Sequence, residues 1–338
     1  MKPTNLARYL TGYLSSYLPD TMGLSTNTIA SRRDAFTLLL QYLKEVKGIS
    51  ASKAEINNLD VGTITGFLNW LEQSRNNSIS SRNIRLSALK AFFSYIQTQT
   101  PDYMLICQQI AAIPVKKCPD KGFEYLTTDG IKAILDSIPT DTKAGRRDIV
   151  MLSVMYDTAA RVQEIADLTV GDVRLSKPAT IRLTGKGEKT RSVPLMEPTV
   201  ALLQQYIKEN DLSSSKCFQH SMFSNRNGAK LTRAGIAYIL EKYVTIVKQS
   251  NPVLMPKSVS PHSLRHSKSM HMLQAGVPLI YIRDFLGHVE ISTTEVYARC
   301  DSDEKRKAIE AAYPNVHYPQ MPSWQSDEGL MAWLKSLC

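Results

Sequence analysis

The chain has no run of about 18 consecutive apolar residues, the length a membrane-crossing helix needs, so no transmembrane span is expected. Its opening stretch, MKPTNLARYL, lacks the apolar core and small-residue cleavage site of an export signal, and a cytoplasmic protein is the expectation. Cysteine is sparse: Cys107, Cys118, Cys217, Cys300 and Cys338 are odd in number, widely scattered and without a CxxC pair. That pattern argues against a disulfide framework and for free thiols in a reducing compartment. HExxH, P-loop and paired-carboxylate patterns are all missing, which removes the usual sequence grounds for a metal or nucleotide cofactor. His262, His266 and His271 fall within ten residues and could suggest zinc, but Arg265 between them would repel the ion. Negative charge is the scarcer sign. Lys and Arg number 41 against 31 Asp and Glu, a formal net charge of +10 on an ordinarily apolar chain, so a polyanionic partner is expected rather than disorder.

The 338 residues are enough for two domains with separate cores. Residues 1–112 read as all-helical. A helix from Asn5 to Leu18 is expected to stop at Pro19 and Asp20. A longer one is capped by Thr26 or Asn27, buries Phe36, Leu39, Leu43 and Val46, and ends at Gly48. Asp60 opens a third, and Ser80 or Ser81 caps a fourth, with Ile84, Leu89, Phe92, Phe93 and Ile96 inward. Arg32, Arg33, Arg82, Arg85 and Lys90 are assigned to the polar faces, as solvated charge or as DNA-phosphate contacts. Residues 113–122, rich in proline and lysine, read as a linker whose Lys116 and Lys117 could also follow DNA. A second, α+β domain is expected over 123–300, and a tail with a terminal amphipathic helix over 301–338.

The chemistry concentrates in SPHSLRHSKSMHMLQAGVPLIYIRDFLGHVEISTTEVYAR, residues 260–299. Spacings of three and four put His262, Arg265 and His266 near one helical face, where they offer donors and positive charge to an anion. LGH follows at 286–288, and Tyr297 stands nine residues beyond His288. A tyrosine brought to a cationic pocket can attack the anion covalently once its phenol loses the proton. Upstream, YDTAARVQEIADLTVGDV sets Arg161 three residues before Glu164, and TIRLTGKGEKTRSVPL reads as two strands about a glycine-flanked Lys186, with Lys189 and Arg191 as alternative functional cations.

HxxRH, LGH and the tyrosine nine residues later, read with ARVQE and the lysine hairpin, resemble the signature of the tyrosine recombinases, or phage integrase family. The run around residues 266–299 is most similar to integrases carried by bacterial transposons and insertion elements. Ala159 and Ala160 depart from the glycine-containing approach to the first arginine in that family. The resemblance implies a mainly α fold with a small β-sheet, in which a helical SAM-like core-binding domain precedes an α+β catalytic domain. It implies that Arg161 and Arg265 clamp a DNA phosphate, with His262 and His288 assisting. Lys186 would protonate the leaving 5′ oxygen, Glu164 would hold neighbouring cations, and Tyr297 would form a 3′-phosphotyrosine.

On that resemblance the partner is double-stranded DNA, bound by a homotetramer assembled on it, and the terminal helix docks on the next protomer. Accessory DNA-bending or directionality proteins are further partners it admits. No cofactor is implied, because the phosphotyrosine keeps the bond energy for rejoining. The expected outcome is integration, excision or transposition of a mobile element, in the cytoplasm at the nucleoid. A type IB-like topoisomerase and a non-catalytic DNA-binding regulator remain the alternatives.

Overall fold

The structure is a computed structural model that describes residues 3–118, 124–288, 294 and 328–337. It forms two compact units, Met1–Lys121 and Gly122–Cys338. Helices dominate both, and one small antiparallel sheet lies in the second. No described helix is long and apolar enough to cross a membrane.

In the first unit, α1 (Asn5–Gly12) starts where the Thr4 hydroxyl accepts from the Ala7 amide. It does not stop at Pro19. The chain continues through a π-helical segment, Tyr13–Thr21, that contains the proline. Tyr13 and Leu18 are fully buried there, and Tyr13 packs against Tyr17, Phe36 and Phe92, so burial holds the winding despite one missing donor. Helix α2 (Thr26–Lys47) is entered from Ser25, one residue earlier than expected, and Val46 lies on its exposed side. Helix α3 (Val61–Gln73) begins at Asp60, whose carboxylate accepts from the Thr63 amide at 2.7 Å.

Helix α4 (Ile79–Gln99) is capped by Ser78 rather than Ser80 or Ser81, and its first turns reverse the expected faces. Arg82 is 4 % exposed, whereas Ile84 is 56 % exposed. Helical phase explains the exchange. Leu86, Leu89, Phe93 and Ile96 form the buried stripe, and Arg82, four residues before Leu86, is in register with it while Ile84 is not. A fifth helix, α5 (Met104–Ala111), follows a proline-led turn and buries Cys107 and Ile110. The segment read as linker begins as part of this unit. Ile113 is buried, the Pro114 carbonyl accepts from Arg82, and Lys116 pairs with Glu72 at 2.8 Å.

The second unit starts with α6 (Thr128–Asp136) and α7 (Lys143–Asp157), each opened by a threonine hydroxyl, Thr127 and Thr142, that accepts from an amide three residues on. Helix α8 (Val162–Asp167) leads into strands β1 (Val173–Arg174), β2 (Thr180–Thr184) and β3 (Thr190–Pro194), in that order across the sheet. Ile181 lies opposite Val193 and Leu183 opposite Arg191. Ile181, Leu183 and Val193 face a core built with α7, α9 (Glu197–Glu209) and α10 (Arg233–Ser250). Two further helices, α11 (Pro261–Gln274) and α12 (Leu279–Leu286), carry the histidine- and arginine-rich segment. The terminal helix Glu328–Lys335 leaves Met331, Trp333 and Leu334 exposed. Cys107, Cys118 and Cys217 are free thiols.

Candidate active site

Ser260 and Pro261 decide how α11 begins. The serine exchanges capping bonds with Ser263, and proline at the first helical position gives up no needed donor. Arg265 therefore falls in the second turn and points inward, 1 % exposed. Its Nη1 donates to the Ala159 carbonyl at 2.7 Å, and its Nη2 to the Leu286 carbonyl at 2.6 Å and to His288 Nε2 at 3.0 Å. One side chain thus joins α11, the turn before Arg161 and the end of α12. Ala159 presents its carbonyl from the left-handed region, φ +47°, where an L-residue is strained. This is the position at which the sequence replaces glycine.

Arg161 is not on the face of α8 but at its N-cap, and Glu164 is the third helical residue. The Glu164 carboxylate reaches back to the Arg161 amide at 2.8 Å and to Arg161 Nη1 at 2.9 Å. Glu164 is 3 % exposed, so this is no surface ion pair. Arg191, from β3, completes it: Nη1 and Nη2 donate to the two carboxylate oxygens at 2.8 and 2.9 Å. Burial pushes the Glu164 carboxyl up, but these four donors outweigh burial and hold it below the usual carboxylate range. The Arg191 Nε donates to the Phe285 carbonyl at 3.0 Å.

The β2–β3 turn closes over this group. Gly185 donates to the Lys189 carbonyl, and a Cβ on Gly185 would come within 3.1 Å of Glu164 Oε1. Lys186 begins the short turn Lys186–Glu188; its side chain lies outside the described residues, as does Tyr297.

Gly287 ends α12 with φ +65°, and a Cβ there would sit 3.0 Å from Arg191 Cδ. His288 follows, with Nδ1 3.0 Å from the Thr294 hydroxyl. A guanidinium only donates, so Nε2 facing Arg265 is the accepting nitrogen and Nδ1–H donates to Thr294. Burial first, then Arg265, Arg161, Arg191 and His262, pull His288 down to about 4. Burial, then His262 and Arg265, bring His266 to about 4. Loss of surrounding water, then Arg265 and Arg161, also lowers His262. Residues more than a hundred positions apart therefore share one positive field. Such a field, with donors around it, suits an oxyanion.

The other histidine and lysine of α11 have packing partners. His271 Nδ1 lies 2.7 Å from the Tyr156 hydroxyl, and Lys268 lies over the Tyr156 ring and 3.5 Å from Asp157.

A pH experiment checks this field. His266 and His288 have folded values below 6.5, so the unfolded chain takes up their protons first. Their contribution is complete above pH 6.5 and declines as pH falls toward 4. Urea midpoints should drop between pH 7 and pH 5, less steeply in His288→Gln; equal slopes would contradict the arrangement.

Of the basic residues assigned to DNA in the first unit, Arg82 turns inward, 3.6 Å from Glu72, and is not available to a phosphate. Arg32 donates to the Tyr13 hydroxyl, Arg85 to the Ser31 carbonyl and Lys90 to the Ala111 carbonyl. Arg33 and Lys117 are exposed; Lys116 is exposed and paired with Glu72.

By sequence alone Arg191 stands only as an alternative cation to Lys186, and Thr294 carries no signal. Strand alternation held the signal for the first. In Thr190–Pro194, Arg191 shares its face with Val193, so a charged residue there is turned inward and needs a partner.

Comparison with known proteins bears on the whole chain. Residues 124–304 match the model of the phage integrase family, and residues 10–99 that of the phage integrase N-terminal SAM-like domain. The chain is 32 % identical to "Putative integrase/recombinase y4rC" of Sinorhizobium fredii over 336 residues, 99 % of either chain. It is 31 % identical to tyrosine recombinase XerD of Listeria monocytogenes, covering 81 % of this chain and 88 % of that one. Among solved structures it shares the fold of the Tn1549 transposon integrase in complex with a circular intermediate DNA. There the TM-score is 0.69 at 18 % identity, covering 92 % of this chain and 100 % of that one.

Proposed function

Because this chain belongs to the phage integrase family, as a tyrosine site-specific recombinase that cleaves and rejoins DNA, we propose that the cluster around Arg161 and Arg265 is its phosphate site and Tyr297 its nucleophile. The convergence of the two arginines carries the reading: Arg265 bonds the carbonyl of Ala159, two residues before Arg161, and both charges bear on His288.

The chain binds duplex DNA. Arg161 and Arg265 hold the non-bridging oxygens of the scissile phosphate, since guanidinium forks match the geometry of an oxyanion. His288 and His262 face the same phosphate, and proton transfer falls to His262, the more open to solvent. Lys186 gives a proton to the departing 5′ oxygen while the Tyr297 oxygen joins phosphorus as a 3′-phosphotyrosine. The 5′ hydroxyl of another strand then reverses the step, so neither ATP nor metal enters the balance.

Four strands on two duplexes need four active sites, and the working form is a homotetramer on DNA. The exposed Met331, Trp333 and Leu334 of the terminal helix support a contact between protomers. The element moved is a transposon or other mobile DNA, a reading that follows from the resemblance of residues 266–299 to integrases carried by transposons and insertion elements. The enzyme acts in the cytoplasm at the nucleoid, in keeping with its free thiols.

The test uses full-length protein and sheared DNA from its source organism. Adducts that survive denaturation are recovered, their DNA sequenced and the linked peptide mapped. Adducts at a recurring sequence, joined through Tyr297 to a 3′ phosphate, are expected. Relaxation of supercoils without strand exchange would favour a topoisomerase, and binding without any adduct would leave a regulator.

A further inference from the structure

We propose that Arg191 is a positioning residue for the phosphate site: it saturates Glu164 so that Arg161 keeps donors and charge for the incoming phosphate. The inference rests on Arg161 being a phosphate ligand and adds a residue to that site.

A carboxylate offers about four acceptor positions. At Glu164 all are taken, two by Arg161 through its amide and Nη1 and two by the Nη1 and Nη2 of Arg191. Arg161 is gripped by one edge only. Its Nε and Nη2 have no protein partner among the described residues, and its side chain is 37 % exposed. Arg191, 11 % exposed, faces inward.

Without Arg191, two buried acceptor positions on Glu164 would be open. The nearest donors able to fill them are those of Arg161, which would turn to chelate the carboxylate with both nitrogens. The same carboxylate would then compete with phosphate for Arg161. The charges agree with the geometry: two guanidiniums and one carboxylate leave a surplus of one positive charge, whereas Arg161 and Glu164 alone leave none. Arg191 also donates to the Phe285 carbonyl and packs under Gly287, so it fixes the turn from which His288 projects. One side chain thus supports the residues before and after the pocket without reaching into it.

The experiment follows the Arg161 Nε–H resonance of the full chain while inorganic phosphate is added, so no cleavage site need be known. Arg191→Gln removes the charge. Arg191→Lys keeps it, but an ammonium cannot span both oxygens and also reach Phe285. In the wild type, phosphate should shift the Arg161 signal. In Arg191→Gln affinity should fall on the order of tenfold or more, the loss of a charge-assisted contact, with partial rescue in Arg191→Lys.

A merely structural role would lower the unfolding temperature and leave phosphate affinity of the folded protein unchanged at 20 °C. That result in Arg191→Gln would overturn the proposal. If Arg191→Gln does not fold, an Arg191→Lys protein with wild-type affinity and an unaltered Arg161 signal would overturn it equally. A wild type whose Arg161 ignores phosphate would overturn the phosphate reading of Arg161 itself, and this assignment with it.

Discussion

A Tyr297→Phe protein should hold DNA as tightly as the wild type and leave no covalent adduct after denaturation. The substitution deletes one oxygen and keeps the ring. Phosphate contacts from Arg161 and Arg265 would persist, because neither depends on the phenol, but no atom would remain to displace the 5′ oxygen. Removing the nucleophile of an enzyme that works through a covalent intermediate costs on the order of 10⁴-fold or more in rate. Gel-shift affinity and denaturing-gel adduct yield, measured on the same duplex, separate binding from chemistry. An adduct of undiminished yield would move the nucleophile to another of the chain's tyrosines.

Glu164→Ala should cause the largest loss of stability. It leaves the guanidiniums of Arg161 and Arg191 facing one another with no anion between them, where now one buried carboxylate meets both. Breaking a buried pair by deleting one partner costs about 3–5 kcal/mol, or roughly 6–20 °C in unfolding temperature for a unit of this size. Calorimetry checks the figure, and Glu164→Gln, which retains the shape and one acceptor, should fall between. The sign of the pH dependence is fixed as well. Glu164 is held below its unfolded value of 4.5, so its contribution is present above that pH and lost as the pH falls below it. The histidine effect spans the interval above, and only the lower limb should flatten in Glu164→Ala.

A helix could be read from the sequence where a cap and an apolar stripe agreed, as at Asp60. The structure departs from the sequence pattern where local chemistry is duplicated or tertiary burial overrides it. Ser78, Ser80 and Ser81 are equivalent as cap candidates until the partner amide is seen. Its charge assigns Arg82 to the outside, although its phase with Leu86 and Leu89 puts it inside. Pro19 looked like a stop, and the buried Tyr13 and Leu18 carried the winding through it. The letters of the site were legible because HxxRH and LGH lie close together in the chain. Less so were the contacts between remote segments. That Arg191 reaches both Glu164 and Phe285 follows from how β3 packs, which no local spacing encodes.

The shared carboxylate changes how mutational data on this protein must be interpreted. Arg161, Glu164 and Arg191 form one electrostatic unit, so losses measured for single replacements will not add: the second removal acts on a group the first has already released. A scan that ranks residues one at a time would credit the same contact repeatedly. Double and triple variants across these positions, with Arg161→Ala as common background, would show strong epistasis, and an attempt to transplant the site would have to move all three together.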